Sequence, residues 1–238
     1  MFREIKKKQL ILERRKPYRL ETQQYIQELN LLDWATCSMR LDGSQMGRKQ
    51  IECVLKGEYL ENYSLMEHEQ VNRYHSLVAA VQEAREMSYS IDLPLLLSFQ
   101  DILTGGASAG YRRSNPILPA LDHNPAHPSV IETQLAQLMR WLYTRSGETN
   151  PIRKAAVLHH RIIEIYPFES CSEAVARTAL YYYLMENGLP PFEMDLSEQA
   201  YYAAIAAYLK QGEEEAFLQT LEQSLFKKME VLMQLTTR

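Results

Sequence analysis

The stretch of this chain best equipped for chemistry runs from Leu158 to Arg177, LHHRIIEIYPFESCSEAVAR. An apolar segment runs into Pro167, the chain turns, and a second apolar segment starts near Ser172. This predicts a helix–loop–helix whose second helix aims its free N-terminal N–H groups at the loop. Such a loop can hold an anion, with Ser170, Cys171, Ser172, Glu173 and Arg177 around it and Tyr166 at its entrance. A thiol at a helix N-terminus can become reactive, but no residue nearby presents itself as its base, so Cys171 reads as an inert thiol. His159 and His160 invite a metal or general-base reading. Adjacent helix residues face different ways and no acid-rich motif accompanies them, so they read as core residues and no metal site is expected.

This helix–loop–helix resembles the central motif of the Fic (filamentation induced by cAMP) family, H-P-F-x-[D/E]-G-N-G-R-x-x-R. The resemblance implies a histidine that activates a target hydroxyl and an acid that holds Mg²⁺. It further implies a G-N-G backbone and two arginines that bind ATP phosphates, with adenylylation of a protein side chain as the outcome. Gly106-Ala107-Ser108-Ala109-Gly110-Tyr111-Arg112 followed by Asn115-Pro116-Ile117 is similar to the family's flap, a ribbon that pairs with the target. That assigns Gly110, Tyr111, Arg112, Asn115 and Ile117 to target binding; as residues alone, Arg112 and Arg113 read as solvated loop arginines. Cys37-Ser38-Met39-Arg40-Leu41-Asp42-Gly43 resembles the inhibitory helix S-x-x-x-E-[G/N], whose acid pairs with the motif's second arginine. Ser38, Asp42 and Gly43 take those places. Aspartate is one methylene shorter than glutamate, which leaves Ser38 or a water as a possible bridge to Arg177.

Within the motif, Tyr166 stands at the histidine's place, Ser170 at the acid's, Cys171-Ser172-Glu173 at G-N-G and Ala174 at the first arginine's; Pro167, Phe168 and Arg177 match. Each departure removes a contribution. A tyrosine of pKa about 10 is a poor base at neutral pH. Serine is a feeble Mg²⁺ ligand. Side chains at 171 and 173 narrow an approach that glycine leaves open, and Glu173 adds negative charge facing a triphosphate. Losing the first arginine removes a planar phosphate fork.

These residues have to be positioned by helices. Apolar spacing predicts helices over 19–36, with Leu20, Tyr25, Leu32 and Trp34 near one stripe, and over 46–57 with Gly57 as its stop. Further helices are predicted over 64–87, 91–103, 129–146, 151–165, 172–187 with Gly188 as its cap, 197–210 and 213–235. Residues 104–128 hold three of the nine glycines and four of the ten prolines, so this segment is no helix, and its centre YRRSNPIL reads as a short β-ribbon. The fold class is all-α with one small β-hairpin flap. The resemblance divides the chain into an N-terminal helical extension, 1–60, and a Fic domain, 61–238, packed as one unit.

The 238 residues are 46% hydrophobic, which excludes a disordered or collagen-like chain. Three cysteines without paired spacing argue against a disulfide framework or a zinc site. No apolar run is long enough for a bilayer, and a cytoplasmic address is expected. Residues 1–19 carry eight Lys/Arg against two Glu, and the remainder 18 against 28. This basic head reads as a solvated face or a dock for the acidic body, with nucleic acid and membrane as unfavoured partners. The expectation is a degenerate Fic-domain protein, a pseudoenzyme that binds a protein or peptide at the flap, with a homodimer among the expected assemblies. The alternative is a residual nucleotide binder or an altered nucleotidyl or phosphoryl transferase; ATP and Mg²⁺ enter by resemblance only.

Overall fold

The computed structural model describes residues 1–107, 110–119, 121–144 and 150–237. Ten α-helices make up the described chain: α1 (Phe2–Arg14), α2 (Leu20–Leu41), α3 (Arg48–Leu55), α4 (Leu65–Glu86), α5 (Leu93–Thr104), α6 (Ile131–Tyr143), α7 (Pro151–Ile165), α8 (Ser172–Glu186), α9 (Glu198–Gln211) and α10 (Glu215–Leu235). Their ends follow local chemistry. Ser64 and Glu67 form a reciprocal capping box at the start of α4. Asp92 accepts from Leu95 N (2.9 Å) to start α5, which ends on Gly105 in the left-handed conformation. Pro151 opens α7 behind Asn150, whose Oδ1 accepts from Ile152 N at 3.0 Å.

α8 is the central helix. Its residues from Ala174 to Leu184 are all buried, and α7, α4 and α5 pack around it. α2 lies against α4 and α3, and α1 lies along α10. α2 differs from the expectation at both ends. It runs on to Leu41, and its second half from Asp33 is almost wholly buried, while Leu20 and Tyr25 are exposed. The apolar stripe read from the sequence therefore seats only its C-terminal part; Leu65, in the first turn of α4, is likewise exposed. Residues 145 and 146 of the helix expected over 129–146 lie outside the described residues.

A buried cation ties α2 to α10. Lys228 of α10 pairs with Asp33 of α2 (2.7 Å), and Arg48 of α3 reaches the other oxygen of Asp33 (2.7 Å). The expected ribbon is one antiparallel bridge, Leu118 with His123, and no strand forms among the described residues. Pro116 and Pro119 have no N–H to donate, so a ladder cannot extend through them. No described helix is long and apolar enough to cross a membrane.

Candidate active site and flap

The loop between α7 and α8 is shaped by two residues in a conformation that disfavours side chains. Tyr166 ends α7 at φ 47°, its N–H on Ile162 O at 2.8 Å, and Cys171 precedes α8 at φ 66°. Each left-handed non-glycine residue costs about 1–2 kcal/mol, so surrounding contacts must hold the turn. Phe168 anchors it, fully buried and stacked on Tyr111 at 5.9 Å between ring centres. Ser172 closes it: its hydroxyl accepts from Phe168 N (3.0 Å) and donates to Phe168 O (3.2 Å). That side chain is thereby committed to the loop's own backbone. Ser170 is exposed.

Tyr166 and Glu173 face each other across the loop. The phenol donates to both carboxylate oxygens, at 3.0 and 3.2 Å. Burial, and then the Glu173 charge, hold the phenol well above its usual pKa, so it stays protonated and donates. Burial also raises the Glu173 carboxyl, while its own backbone N–H and Tyr166 pull the other way. The carboxylate thus lies on the first turn of α8, where the helix dipole favours an anion. Cys171 is pushed up by burial first and by Asp42 next, which keeps its thiol protonated.

One turn on, Arg177 is fully buried. It pairs directly with Asp42, the residue that ends α2, and Asp42 also accepts from Tyr74 OH of α4 at 2.6 Å. The shorter aspartate reaches because α2 extends a full turn beyond its expected end and carries residue 42 to α8. No bridge through Ser38 forms; its hydroxyl is buried without a hydrogen-bond partner among the described residues. Gly43 follows at φ 84°, and a side chain there would meet Glu198 of α9 at 3.6 Å. On its other side Arg177 lies 3.4 Å from Tyr201 OH, which is 2.7 Å from His159 Nε2. Burial, then His160 and Arg177, push His159 well below its usual range, so it is neutral. Both histidines are core residues, His160 stacked on Tyr208 at 4.4 Å.

These side chains do not fit a Mg²⁺-bound triphosphate. Asp42 and Glu173 put two carboxylates about the start of α8, Glu198 lies beside Gly43, and Arg177 is already paired with Asp42. Among the described residues no cluster of three His, Cys, Asp or Glu could hold a metal ion.

The flap is tied to this loop by Arg112. Expected as a solvated arginine, it is 2% exposed. Its backbone N–H donates to Pro167 O (2.9 Å), and its guanidinium donates to Tyr166 O (2.6 Å), Ile165 O (3.3 Å), Ser114 O (3.0 Å), Asn115 Oδ1 (2.8 Å) and Ala126 O. Carbonyls freed where α7 ends need donors, and a five-donor fork supplies them. Asn115 is spent inside the flap, its amide donating to Pro125 O at 3.1 Å. Gly110, at φ 95°, lets the chain turn into Tyr111, which is half-buried. Ile117 is 90% exposed. Ser108 and Ala109 lie outside the described residues. Tyr74, Glu198 and His123, whose ring meets Glu164 O at 2.8 Å, were not singled out in the sequence. Only fold contacts mark them.

Residues 90–184 match the model of the Fic/DOC family. The chain is 23% identical over 176 residues to the protein adenylyltransferase fic-1 of Caenorhabditis briggsae, covering 71% of this chain and 34% of that protein. It is 29% identical over 133 residues to the protein adenylyltransferase Fic of Nematostella vectensis, covering 54% and 31%. The chain therefore spans about a third of the length of these relatives. Its structure superposes on that of Caenorhabditis elegans Fic-1 with a TM-score of 0.82 at 18% identity, covering 98% of this chain and 70% of the other. A Fic domain containing signaling protein from Bacteroides thetaiotaomicron superposes at 0.81 and 19% identity, covering 99% and 97%. The helix pair α7–α8, its connecting loop and the flap before it all fall in or against residues 90–184, the segment that matches the Fic/DOC family.

Proposed function

We propose that this chain is a Fic-fold binding protein without adenylyl-transfer activity, which takes up a protein or peptide segment at its flap. The hydrogen bond from Tyr166 to Glu173 carries this reading. It supports the reading because Tyr166, at the motif position of the family's base, is a protonated donor, and Glu173, within the motif's anion-cradle stretch, is the group it donates to. The Asp42–Arg177 pair then serves as a structural joint between α2 and α8. Binding at the flap is supported by Arg112, which fixes its base, and by Ile117, which stands exposed where an apolar side chain of a partner could meet it.

The test is calorimetric titration of ATP, with and without Mg²⁺, into the wild type and an Asp42→Gly variant, beside an assay for AMP incorporation into co-expressed protein. No binding at millimolar ATP and no AMP product are expected for either. A labelled product would defeat the reading, and ATP binding by the variant alone would turn it towards a guarded nucleotide binder.

A further inference from the structure

α1 uses one side of its surface to join the body. Ile5 and Leu12 are buried, Lys8 reaches Glu230 of α10 (3.6 Å) and Arg15 donates to Met233 O (2.6 Å). On the opposite side Arg3, Lys7, Leu10 and Arg14 follow at steps of four, three and four, which is one stripe of a helix, flanked by Lys6 and Ile11. All six are exposed. Lys7 pairs with Glu4 of the same helix, whereas Arg3, Lys6 and Arg14 meet no carboxylate among the described residues.

The connection from α3 into α4 has the reverse character. Tyr59, Leu65 and Met66 are 67%, 65% and 76% exposed. Tyr59 stacks on His68 and His68 accepts from Leu60 N (3.0 Å), so the connection and the first turn of α4 form one surface. Glu58, Glu61 and Glu69 border it. Glu69 approaches Arg73 at 3.5 Å, and Glu58 and Glu61 form no ion pair among the described residues.

We propose that the basic stripe of α1 docks on this acidic, apolar surface of a second copy of the chain. An anionic membrane would account for the stripe but not for the exposed Tyr59, Leu65 and Met66 ringed by glutamates. A second copy accounts for both, matching charge with charge and Leu10 and Ile11 with Tyr59, Leu65 and Met66. The two faces differ, so the contact is head-to-tail and builds rings or short open chains. A helix of 13 residues is about 20 Å long, and the stripe covers less than the ~800 Å² per partner of a standard interface. The association is consequently weak and sensitive to salt.

Sedimentation velocity over a concentration series tests this on four chains: wild type, Arg3→Glu/Lys6→Glu/Arg14→Glu, Glu58→Lys/Glu61→Lys, and all five together. All the changes are on exposed side chains, and circular dichroism checks that helicity is kept. The wild type should associate at low ionic strength, with its association constant falling about tenfold or more as the Debye length shrinks from ~30 to ~8 Å. Either single-face reversal should abolish association, and the five-fold chain, with both signs exchanged, should recover it. A wild type that stays monomeric throughout, a single-face reversal that associates undiminished, or a five-fold chain that stays monomeric would each overturn the proposal. So would a monomer that instead co-sediments with phosphatidylserine vesicles, which would give the stripe to a lipid surface.

Discussion

Replacing Asp42 by alanine removes the carboxylate that Arg177 and Tyr74 share. Arg177 is fully buried and, among the described residues, keeps two long hydrogen bonds, 3.4 Å to Tyr201 OH and 3.4 Å to Tyr74 OH, and its place over the Tyr201 ring. Breaking a buried ion pair from one side costs about 3–5 kcal/mol because a charge is left behind. The Asp42 side chain is 21% exposed, so water can reach the vacated place and the cost falls to about 2–3 kcal/mol. The stranded Tyr74 hydroxyl adds about 1 kcal/mol. A loss of roughly 3 kcal/mol in a chain of this size lowers the melting temperature by about 6–12 °C. Guanidinium titration followed by circular dichroism should show a shifted midpoint at unchanged slope. A double change, Asp42→Leu with Arg177→Met, should cost less than the sum of its parts, because no charge is orphaned. A loss under about 1 kcal/mol for Asp42→Ala, or strict additivity in the cycle, would refute the view that this pair is a structural joint.

Three other perturbations follow from the same contacts. Burial holds His160 at about 4 against 6.5 for a free side chain, so the unfolded chain binds the extra proton between those values; stability should be full above pH 6.5 and fall towards pH 4, His160 contributing about 1.4 kcal/mol per unit beside the neutral His159, with a correspondingly shallower fall in His160→Phe. Arg112→Lys keeps the charge but loses the fork across Tyr166, Ile165, Ser114, Asn115 and Ala126, so amide exchange should accelerate in residues 110–126 while α8 stays protected, at a cost of about 2–3 kcal/mol. Lys228→Ala should cost about 2–3 kcal/mol by unbalancing the buried Asp33, whereas Lys227→Ala, whose partner Asp195 is 71% exposed, should cost under about 0.5 kcal/mol in the same denaturation assay.

The helices were legible because their signals are local. Periodic apolar residues, the Ser64 box, Asp92 and Pro151 act within a turn or two of the chain and need no distant partner. α2 reads short in the sequence because its last turn, Cys37 to Leu41, carries Ser38 and Arg40, and only the packing that buries most of it holds it helical. The ribbon was over-read, since turn residues mark where a chain bends and not whether it finds a strand to pair with.

At the site, the chain's own order of residues determined which groups could meet at all: a tyrosine before proline, a glutamate in the first turn of α8, an arginine one turn beyond, and an aspartate far upstream. It also determined which residue types stand at the motif's positions, Tyr166, Ser170, Cys171, Ser172, Glu173 and Ala174, since that is read from the sequence directly. Tertiary structure alone decided that Tyr166 donates to Glu173, that Asp42 reaches Arg177 directly with Tyr74 beside it, and that Arg112 is a buried tie and no solvated cation. The reason is range. Propensity and periodicity act over a few residues, whereas burial and hydrogen bonding between positions 42 and 177, or 112 and 166, depend on how whole helices pack, and only packing sets which charges are dry and which are wet.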